Sequence, residues 1–307
     1  MTAQVNLNTV ISPGLKLANP IIAASGTFGY GEEFEGLIDI QELGAIICKG
    51  TTLLPRNGNP QPRIVEVCGG VLNSVGLQNI GVEAVVKEKA PVWAKWKVPV
   101  IVNIAGDTVD EYEKIAEILE GVPGVKGIEV NISCPNVKRG GMQFGTDPVV
   151  AAEVTQAVRS VSSLPLIVKL SPNVTDIVKI ARAVEDAGAD SISLINTLNG
   201  MSIDIRAGKP RLGAITGGLS GPAVKPVALL MVYRVAGSVT IPVIGCGGIM
   251  NCEDVIEFIL AGATAVQVGT ANLINPHSII DIIGDLRSYM ISEGIEDLSE
   301  LRGKARN

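Results

Sequence analysis

The chain has 307 residues, a length that one α/β barrel can fill, and 47% of them are hydrophobic whereas only 3% are aromatic. Its formal net charge of −6 and its pI near 5.0 argue against a nucleic-acid partner, which requires a concentrated basic surface. No apolar run approaches the roughly 20 residues that span a bilayer, and the N-terminus resembles neither a signal nor a transit peptide. We therefore expect a soluble, cytoplasmic protein without a membrane partner.

Eight short aliphatic runs recur along the chain, and each ends in small or polar residues. Continuous apolar character, rather than alternation, predicts strands that are buried on both faces of a parallel sheet. The runs are "IIAASG" (21–26), "AIICKG" (45–50), "VPVIVNIAG" (98–106), "GIEVNIS" (127–133), "LPLIVKLSP" (164–172), "ADSISLINT" (189–197), "IPVIGCGG" (241–248) and "ATAVQVGT" (263–270).

Helical patterns lie between these runs, at residues 109–121, 148–161 and 174–188. For the last of them we expect Asn173 as the N-terminal cap and Gly188 as the stop. Eight strand–helix units predict a (β/α)8 TIM barrel that forms a single domain over residues 1–307. The alternative fold is an open, doubly wound sheet.

Two connections, residues 51–80 after strand 2 and 198–225 after strand 6, are rich in Gly, Pro and Asn and are predicted to be excursions over one end of the barrel.

The C-terminal ends of the predicted strands carry amides, hydroxyls and two lysines, and the active site of a barrel lies at that end. Either these groups converge on a ligand, or each satisfies a neighbouring backbone group. The residues are Ser25, Lys49, Asn103, Asn131, Lys169, Asn196, Thr197, Gly247, Gly248, Gly269 and Thr270.

The glycines after strands 7 and 8 indicate a phosphate site, because backbone N–H groups there are not obstructed by side chains. Lys169 needs an anionic partner or an electron-rich ring, and a flavin would meet that need. The alternative is that Lys169 pairs with a carboxylate in the core. Lys49 is a second cation that could contact a carboxylate substrate or the edge of a flavin.

Histidine is almost absent, since His277 is the only one, so proton chemistry must use other side chains. The five cysteines form no CxxC pair, which argues against a disulfide framework and against a zinc or iron–sulfur site, so no metal is expected in this chain. Cys48, Cys68, Cys246 and Cys252 are interpreted as inert small hydrophobes. Cys134 follows the polar end of strand 4, where a thiolate could act as a base or nucleophile; the alternative is a structural cysteine.

Several motifs together resemble the dihydroorotate dehydrogenases, and specifically the NAD-linked class 1B enzymes. The similarity spans nearly the whole chain. It is carried by "NISCPNVKRGGMQFGTDP" (131–148), "NPIIAASGTFGYGEEF" (19–34), "KGTTLLPRNGNPQPR" (49–63), "LNSVGLQN" (72–79), "VKLSPNVTDI" (168–177), "INTLNGM" (195–201), "TGGLSGPAVKPVAL" (216–229) and "GCGGI…VGTAN" (245–272).

The resemblance implies an FMN-dependent oxidation of dihydroorotate to orotate in pyrimidine (UMP) biosynthesis. Cys134 would be the base that takes the C5 proton, with hydride passing from C6 to flavin N5, and Lys49 would belong to the catalytic set. The positions matching FMN contacts are Ser25, Lys49, Gly50, Asn103, Asn131, Lys169, Ile195, Gly221, Gly247, Gly248, Gly269 and Thr270. Those matching substrate contacts are Lys49, Asn73, Ser74, Val75, Gly76, Leu77, Asn131, Asn196 and Thr197.

Class 1B membership further implies a partner subunit that carries FAD and a [2Fe–2S] cluster and passes electrons to NAD, in a heterotetramer built on a homodimer of this chain. Cysteine rather than serine at position 134 argues against the membrane-bound class. The absence of a proline-glycine-lysine insertion in the loop argues against the fumarate-linked class 1A. The loop after strand 4, hinged at Gly140 and Gly141, is expected to be mobile.

Three alternatives to this activity stay open at this point. One is the class 1A, fumarate-linked reaction, and a second is the oxidation or reduction of another pyrimidine, as in the related dihydropyrimidine dehydrogenases. The third is a barrel that binds a phosphorylated ligand without redox chemistry.

Overall fold

The computed structural model describes residues 5–133 and 144–306. In chain order the strands are β1 (Thr9–Ser12), β2 (Leu15–Leu17), β3 (Ile21–Ala23), β4 (Ala45–Ile47), β5 (Ile64–Val67), β6 (Gly70–Asn73), β7 (Val100–Ile104), β8 (Val125–Asn131), β9 (Leu166–Lys169), β10 (Ser191–Leu194), β11 (Leu198–Met201), β12 (Ile203–Asp204), β13 (Lys209–Pro210), β14 (Thr216–Ser220), β15 (Val243–Cys246) and β16 (Ala265–Val268).

The α-helices are α1 (Val82–Ala84), α2 (Ala90–Trp93), α3 (Val109–Leu119), α4 (Pro148–Val161), α5 (Ile177–Asp186), α6 (Lys225–Ala236), α7 (Cys252–Leu260), α8 (Thr270–Ile274) and α9 (Ser278–Ser292). A π-helical turn, Val85–Lys89, joins α1 to α2. Single 3₁₀ turns lie at Glu32–Phe34, Ile40–Glu42, Phe144–Thr146, Pro222–Val224, Leu298–Glu300 and Lys304–Arg306. No helix within the described ranges is long and apolar enough to cross a membrane.

Eight parallel strands close into a barrel in the order β3-β4-β7-β8-β9-β10-β15-β16, with β16 pairing back onto β3. Each of the eight predicted aliphatic runs supplies one of these strands, so the predicted (β/α)8 barrel is confirmed. The alternative prediction of an open, doubly wound sheet is wrong, because the eight described parallel strands close on themselves and leave no free edge. The active site of such a barrel is expected at the C-terminal ends of its strands.

The helices pack their apolar stripes against the outside of the barrel. Helix α3 shows the pattern: its cap Thr108 accepts a hydrogen bond from the Glu111 N–H, and its buried residues recur at helical spacing at Tyr112, Ile115 and Leu119. The predicted helix over 148–161 is present as α4 with the same bounds.

The start of α5 differs from the prediction. Asp176, not Asn173, is the N-terminal cap, and its carboxylate accepts from the Val178 N–H. The Asn173 side chain instead spans to the next strand–helix loop, donating to the Thr197 carbonyl at 3.0 Å and accepting from the Asn199 N–H at 3.0 Å. The predicted stop is confirmed, since Gly188 follows the helix with a φ of +98°.

The two long excursions meet over one end of the barrel, as predicted. They form a single antiparallel sheet in the order β11-β14-β6-β5, in which β6 of the first excursion pairs with β14 of the second. Asn73 lies opposite Gly218 at this junction. The excursions are therefore one lid-like sheet rather than two separate loops.

The opposite end of the barrel is closed by the antiparallel hairpin β1–β2. Its apolar side chains Ile11, Leu15 and Leu17 form a cluster with the lowest inward-facing residues of the barrel, among them Ile101 and Ile167. This hairpin lies ahead of the first predicted strand, and the sequence analysis did not anticipate it.

Candidate active site

A cavity lies between the C-terminal ends of the barrel strands and the lid sheet. It brings together most of the positions that the sequence predicted, which are Ser25, Gly50, Asn73, Val75, Leu77, Asn103, Asn131, Lys169, Ile195, Asn196, Thr197, Gly247, Gly248, Gly269 and Thr270. Among the described residues, four predicted positions do not line it: Lys49, Ser74, Gly76 and Gly221. Each of these four is adjacent in the chain to a residue that does, and Ser74 and Gly76 have such a neighbour on both sides.

Below the cavity, the inside of the barrel holds a network of hydrogen bonds around the fully buried carboxylate of Glu129. This carboxylate accepts from Asn103 Nδ2 at 2.7 Å, from Ser193 Oγ at 2.8 Å and from Gln267 Nε2 at 2.6 Å. The ammonium of Lys169 lies 3.8 Å from Glu129 Oε1 and donates to Gln267 Oε1 at 2.8 Å.

Lys169 remains a cation despite being buried. Burial lowers the pKa of its ammonium, but the charge of Glu129, the nearby Cys246 and hydrogen bonding to Glu129 together offset this, and the pKa lies above the ordinary lysine value. Of the two roles considered for Lys169, pairing with a core carboxylate is therefore present in the structure. Because Lys169 also lines the cavity, the same ammonium faces whatever binds there.

Amide side chains form the rim of the cavity. Asn131 Oδ1 accepts from Asn196 Nδ2 at 3.2 Å and from the Ser133 N–H at 3.2 Å, and Asn73 Nδ2 donates to the Gly218 carbonyl at 3.2 Å. Ser133 Oγ donates to the Lys169 carbonyl at 3.2 Å. The rim thus offers both donors and acceptors, as a heterocyclic ring with alternating N–H and C=O groups would require.

Glycines form one corner of the cavity, after β15 and β16. Gly247 and Gly248 have φ values of +127° and +77°, which favour glycine over all other residues. A Cβ atom on Gly248 would come within 2.7 Å of the Lys225 backbone nitrogen at the start of α6. Gly269 and Thr270, where α8 begins, also line the cavity and complete a corner suited to a phosphate group.

The segment Asn73–Leu77 crosses the cavity from the lid side. Leu77 has a φ of +53°, in the left-handed region that side chains with a Cβ seldom adopt. The buried Asn79 holds this conformation, because its Nδ2 donates to the Leu77 carbonyl at 2.7 Å. Strained backbone of this kind is concentrated at ligand-binding segments.

Lys49 is half-buried beside Gly50, and its ammonium makes no hydrogen bond or ion pair with any residue in the described ranges. Gly50 itself lies close to Asn103: a Cβ atom at this position would be 3.1 Å from Asn103 Oδ1. A cation that has no partner among the described residues and lies next to the cavity is available to an anionic ligand.

The thiols in the described ranges fall into two groups. Burial raises the pKa of Cys48 to about 12 and that of Cys252 to about 11, and it also raises the pKa of Cys246 despite the opposing charge of Lys169. These three are protonated at neutral pH, as expected of inert hydrophobes, although Cys246 also lines the cavity. Cys68 differs from these three because it is exposed, so it does not pack as a small hydrophobe, and it does not line the cavity. Cys134 and the loop glycines Gly140 and Gly141 lie outside the described residues.

Sequence reasoning missed the residues beneath the cavity, above all Glu129 and its partners Ser193 and Gln267. A signal was available: Glu129 and Gln267 are single polar residues in the aliphatic stretches "GIEV" and "AVQV", and Ser193 is one of two serines that alternate with aliphatic residues in "SISL". Alternate residues on a barrel strand face the interior, so polar residues in such runs indicate a polar layer inside the barrel.

The fold and the cavity define a β/α-barrel protein with a polar cavity, suited in its chemistry to an anionic ligand, at the C-terminal ends of its strands. Comparison with known proteins makes this specific. Residues 7–290 match the family model described as dihydroorotate dehydrogenase. The chain belongs to the dihydroorotate dehydrogenase family and is an oxidoreductase of that family.

Curated relatives support the assignment over nearly the full length of the chain. A protein of Geotalea daltonii named dihydroorotate dehydrogenase B (NAD(+)), catalytic subunit, is 56% identical over 98% of this chain and 98% of its own length. A protein of the same name from Desulforamulus reducens is 56% identical over 98% of this chain and 99% of its own. A third, from Geobacter metallireducens, is 56% identical over 94% and 95%. The resemblance to the NAD-linked class that the motifs indicated is confirmed.

Proposed function

We propose that this protein oxidises dihydroorotate to orotate in pyrimidine biosynthesis, as one FMN-binding domain over residues 1–307. The observation that carries the proposal is the convergence of a buried ammonium, a rim of asparagine amides and a glycine corner on one cavity. The names of the relatives, which specify dihydroorotate dehydrogenase B, support the same reaction.

The cavity fits FMN by the chemistry of its donors and acceptors. The glycine corner at Gly247, Gly248, Gly269 and Thr270 suits the phosphate, and Lys169 supplies positive charge for the ring. Asn103 Oδ1 is buried and has no hydrogen-bond partner in the described ranges, so it can accept from an N–H of the ring. The further positions proposed to hold FMN are Ser25, Lys49, Gly50, Asn131, Ile195 and Gly221. When bound, FMN supplies the two-electron acceptor that the oxidation requires.

The substrate is proposed to bind between the asparagine rim and the segment Asn73–Leu77. The amides of Asn73, Asn131 and Asn196, together with Thr197, match a pyrimidine ring that alternates N–H and C=O groups. The ammonium of Lys49, which lacks a partner among the residues described, is suited to the carboxylate of dihydroorotate. The remaining proposed substrate positions are Ser74, Val75, Gly76 and Leu77.

Cys134 is proposed as the base that takes the C5 proton of dihydroorotate. Two observations support this assignment. The buried thiols of Cys48, Cys246 and Cys252 have raised pKa values and are poor bases at neutral pH. Ser133, which precedes Cys134 in the chain, is anchored at the rim of the cavity by Asn131 and by the Lys169 carbonyl.

Electrons are proposed to leave through a partner subunit that carries FAD and a [2Fe–2S] cluster and reduces NAD, in a cytoplasmic heterotetramer built on a homodimer of this chain. The relatives' names support a separate partner, because they specify a catalytic subunit and NAD(+). The sequence is consistent with this division, since it carries no CxxC pair for a cluster of its own.

The proposal is tested by purifying the chain with its partner and measuring dihydroorotate-dependent reduction of NAD. We expect a flavin absorption spectrum, release of orotate and formation of NADH. Because the FAD and the cluster of the partner also absorb visible light, the FMN assignment is tested on the chain purified alone, and a colourless isolated chain would refute it and favour a non-redox phosphate-binding barrel. Turnover of the isolated chain with fumarate would indicate class 1A, and a preference for dihydrouracil over dihydroorotate would indicate a dihydropyrimidine dehydrogenase.

A further inference from the structure

The carboxylate of Glu129 lies inside the barrel directly beneath the candidate active site, and it does not line the cavity. It belongs to β8 and is fully buried. A buried carboxylate is costly unless several donors and a positive charge surround it, and a well-packed apolar side chain often stabilises a fold equally well. Filling the interior alone does not require a glutamate here.

The partners of Glu129 come from four other strands. Asn103 of β7, Ser193 of β10 and Gln267 of β16 donate to it, and the ammonium of Lys169 on β9 lies at ion-pair distance. Two of these partners, Asn103 and Lys169, also line the cavity. In the part of the chain that the structure describes, Glu129 is the one residue whose side chain forms a hydrogen bond or ion pair with both of these ligand-facing side chains.

The contact with Asn103 determines which end of its amide faces the ligand. An ionised carboxylate only accepts hydrogen bonds, so the NH₂ group of Asn103 must be the end that faces Glu129. Asn103 Oδ1 is then left buried and without a partner among the described residues. The absence of a side chain at Gly50 keeps space open beside this oxygen. Asn103 is therefore presented to the cavity as a hydrogen-bond acceptor.

The contact with Lys169 determines the charge beneath the ligand. Without Glu129, burial would disfavour the ammonium form of Lys169. The carboxylate supplies the opposing charge, and Gln267 connects the two, since it donates to Glu129 through Nε2 and accepts from Lys169 through Oε1.

We propose that Glu129 is a positioning residue for the redox reaction: it keeps Lys169 charged and fixes the amide of Asn103 as an acceptor toward the ring of the bound cofactor. This inference rests on the proposed function for the identity of the cofactor as FMN. Its consequence is that Glu129 controls the relative affinity of the site for reduced and oxidised flavin without contacting either.

The decisive variant is Glu129→Gln, which preserves the size of the side chain and removes its charge. The Lys169 ammonium, no longer compensated, should favour the more negative reduced flavin, so the ratio of affinities for reduced and oxidised FMN should rise roughly tenfold at pH 7, as for a change of about one pKa unit. The pKa of Lys169 should fall, so the flavin reduction potential should depart from the wild-type pH profile on the alkaline side, where Lys169 loses its proton in the variant before it does in the wild type.

The matched control is Ser191→Ala. Ser191 lies two residues before Ser193 on the same strand and is equally buried, but its hydroxyl has no partner in the described ranges. This variant should retain the wild-type ratio of affinities for reduced and oxidised FMN and the wild-type pH profile of the flavin reduction potential. A folded, FMN-loaded Glu129→Gln protein that also retains both would overturn the inference.

Glu129→Asp provides a second test if the glutamine variant does not fold. It retains the charge but shortens the side chain, so the hydrogen bond to Asn103 and the ion pair with Lys169 are both weakened. The pH profile of the flavin reduction potential should stay close to that of the wild type. We expect the dissociation constant for FMN to rise about tenfold, against no change in Ser191→Ala. An unchanged constant would exclude the positioning role. A wild-type protein that binds no FMN would instead refute the proposed function, whatever Glu129 does.

Discussion

The inside of the barrel contains two layers of opposite character that lie only two residues apart on the same strands. On β7, Ile101 lies in the lower layer and Asn103 in the upper one; on β9, Ile167 is followed in the same way by Lys169. The lower layer packs against the hairpin β1–β2, whereas the upper layer surrounds Glu129. Because alternate residues of a strand face the same side, one short strand serves both layers.

The two layers are stabilised in different ways. The lower layer is a cluster of aliphatic side chains, whose burial is favourable by about 25 cal/mol per Å² of apolar surface. The upper layer buries polar groups, which donate to and accept from one another except for Asn103 Oδ1, the acceptor proposed to face the ligand. The lower layer should therefore determine stability, and the upper layer together with the residues above it should determine chemistry.

Replacing the proposed base gives the largest expected effect. It tests whether the residues above the upper layer determine the chemistry without determining stability. Cys134→Ala should slow dihydroorotate-driven flavin reduction by about 10²- to 10⁴-fold, the usual contribution of a general base. Bound FMN and the unfolding temperature should not change. Stopped-flow measurement of flavin reduction at neutral pH provides the test.

The exposed Cys68 is the matched control, since Cys68→Ala removes a thiol that does not line the cavity. Its reduction rate should equal that of the wild type. Near-normal rates in Cys134→Ala would show that another group takes the proton.

Truncation of the hairpin tests the structural half of the comparison. Leu17→Ala removes a fully buried side chain from the lower cluster, and such truncations reduce the free energy of unfolding by about 2–5 kcal/mol. FMN affinity and the rate of flavin reduction should stay unchanged in the folded variant. Denaturant unfolding measures the loss of stability, flavin titration measures FMN affinity, and stopped-flow absorbance measures the rate of flavin reduction.

Lys16→Ala is the control, because Lys16 lies between two buried leucines on the same strand and is itself exposed. It should change the free energy of unfolding by less than about 0.5 kcal/mol. If Leu17→Ala weakened FMN binding as strongly as it lowered stability, the two layers would not be separable.

The barrel was predictable from the sequence because its signals are local. Each strand buried on both faces appears as an aliphatic run, and the bounds of α4 follow from Asp147, Pro148 and the periodicity after them. The Glu129 network was not predictable in this way. Its partner Gln267 lies 138 residues away, and only closure of the barrel brings the two together.

The location of the candidate site was predicted, although the contacts that complete the site were not. Polar residues at strand ends and glycines after β15 and β16 identify which end of the barrel binds the ligand. The pairing of the two excursions into one sheet depends on contacts between β6 and β14, which are distant in sequence, and no local pattern specifies that register.

The smallest expected effect comes from the start of α5, where the local sequence "PNVTD" offers two candidate caps and only one is used. Asp176→Ala removes the side chain that accepts from the Val178 N–H and should cost about 1 kcal/mol of unfolding free energy, without changing FMN affinity.

Asn173→Ala leaves this cap intact but removes the hydrogen bonds to Thr197 and Asn199, beside the cavity. It should therefore weaken binding of substrate or FMN more than Asp176→Ala does. Orotate and FMN titrations of the two variants, read together with urea unfolding, distinguish these outcomes, and equal binding by both would show that the Asn173 bridge does not support the site.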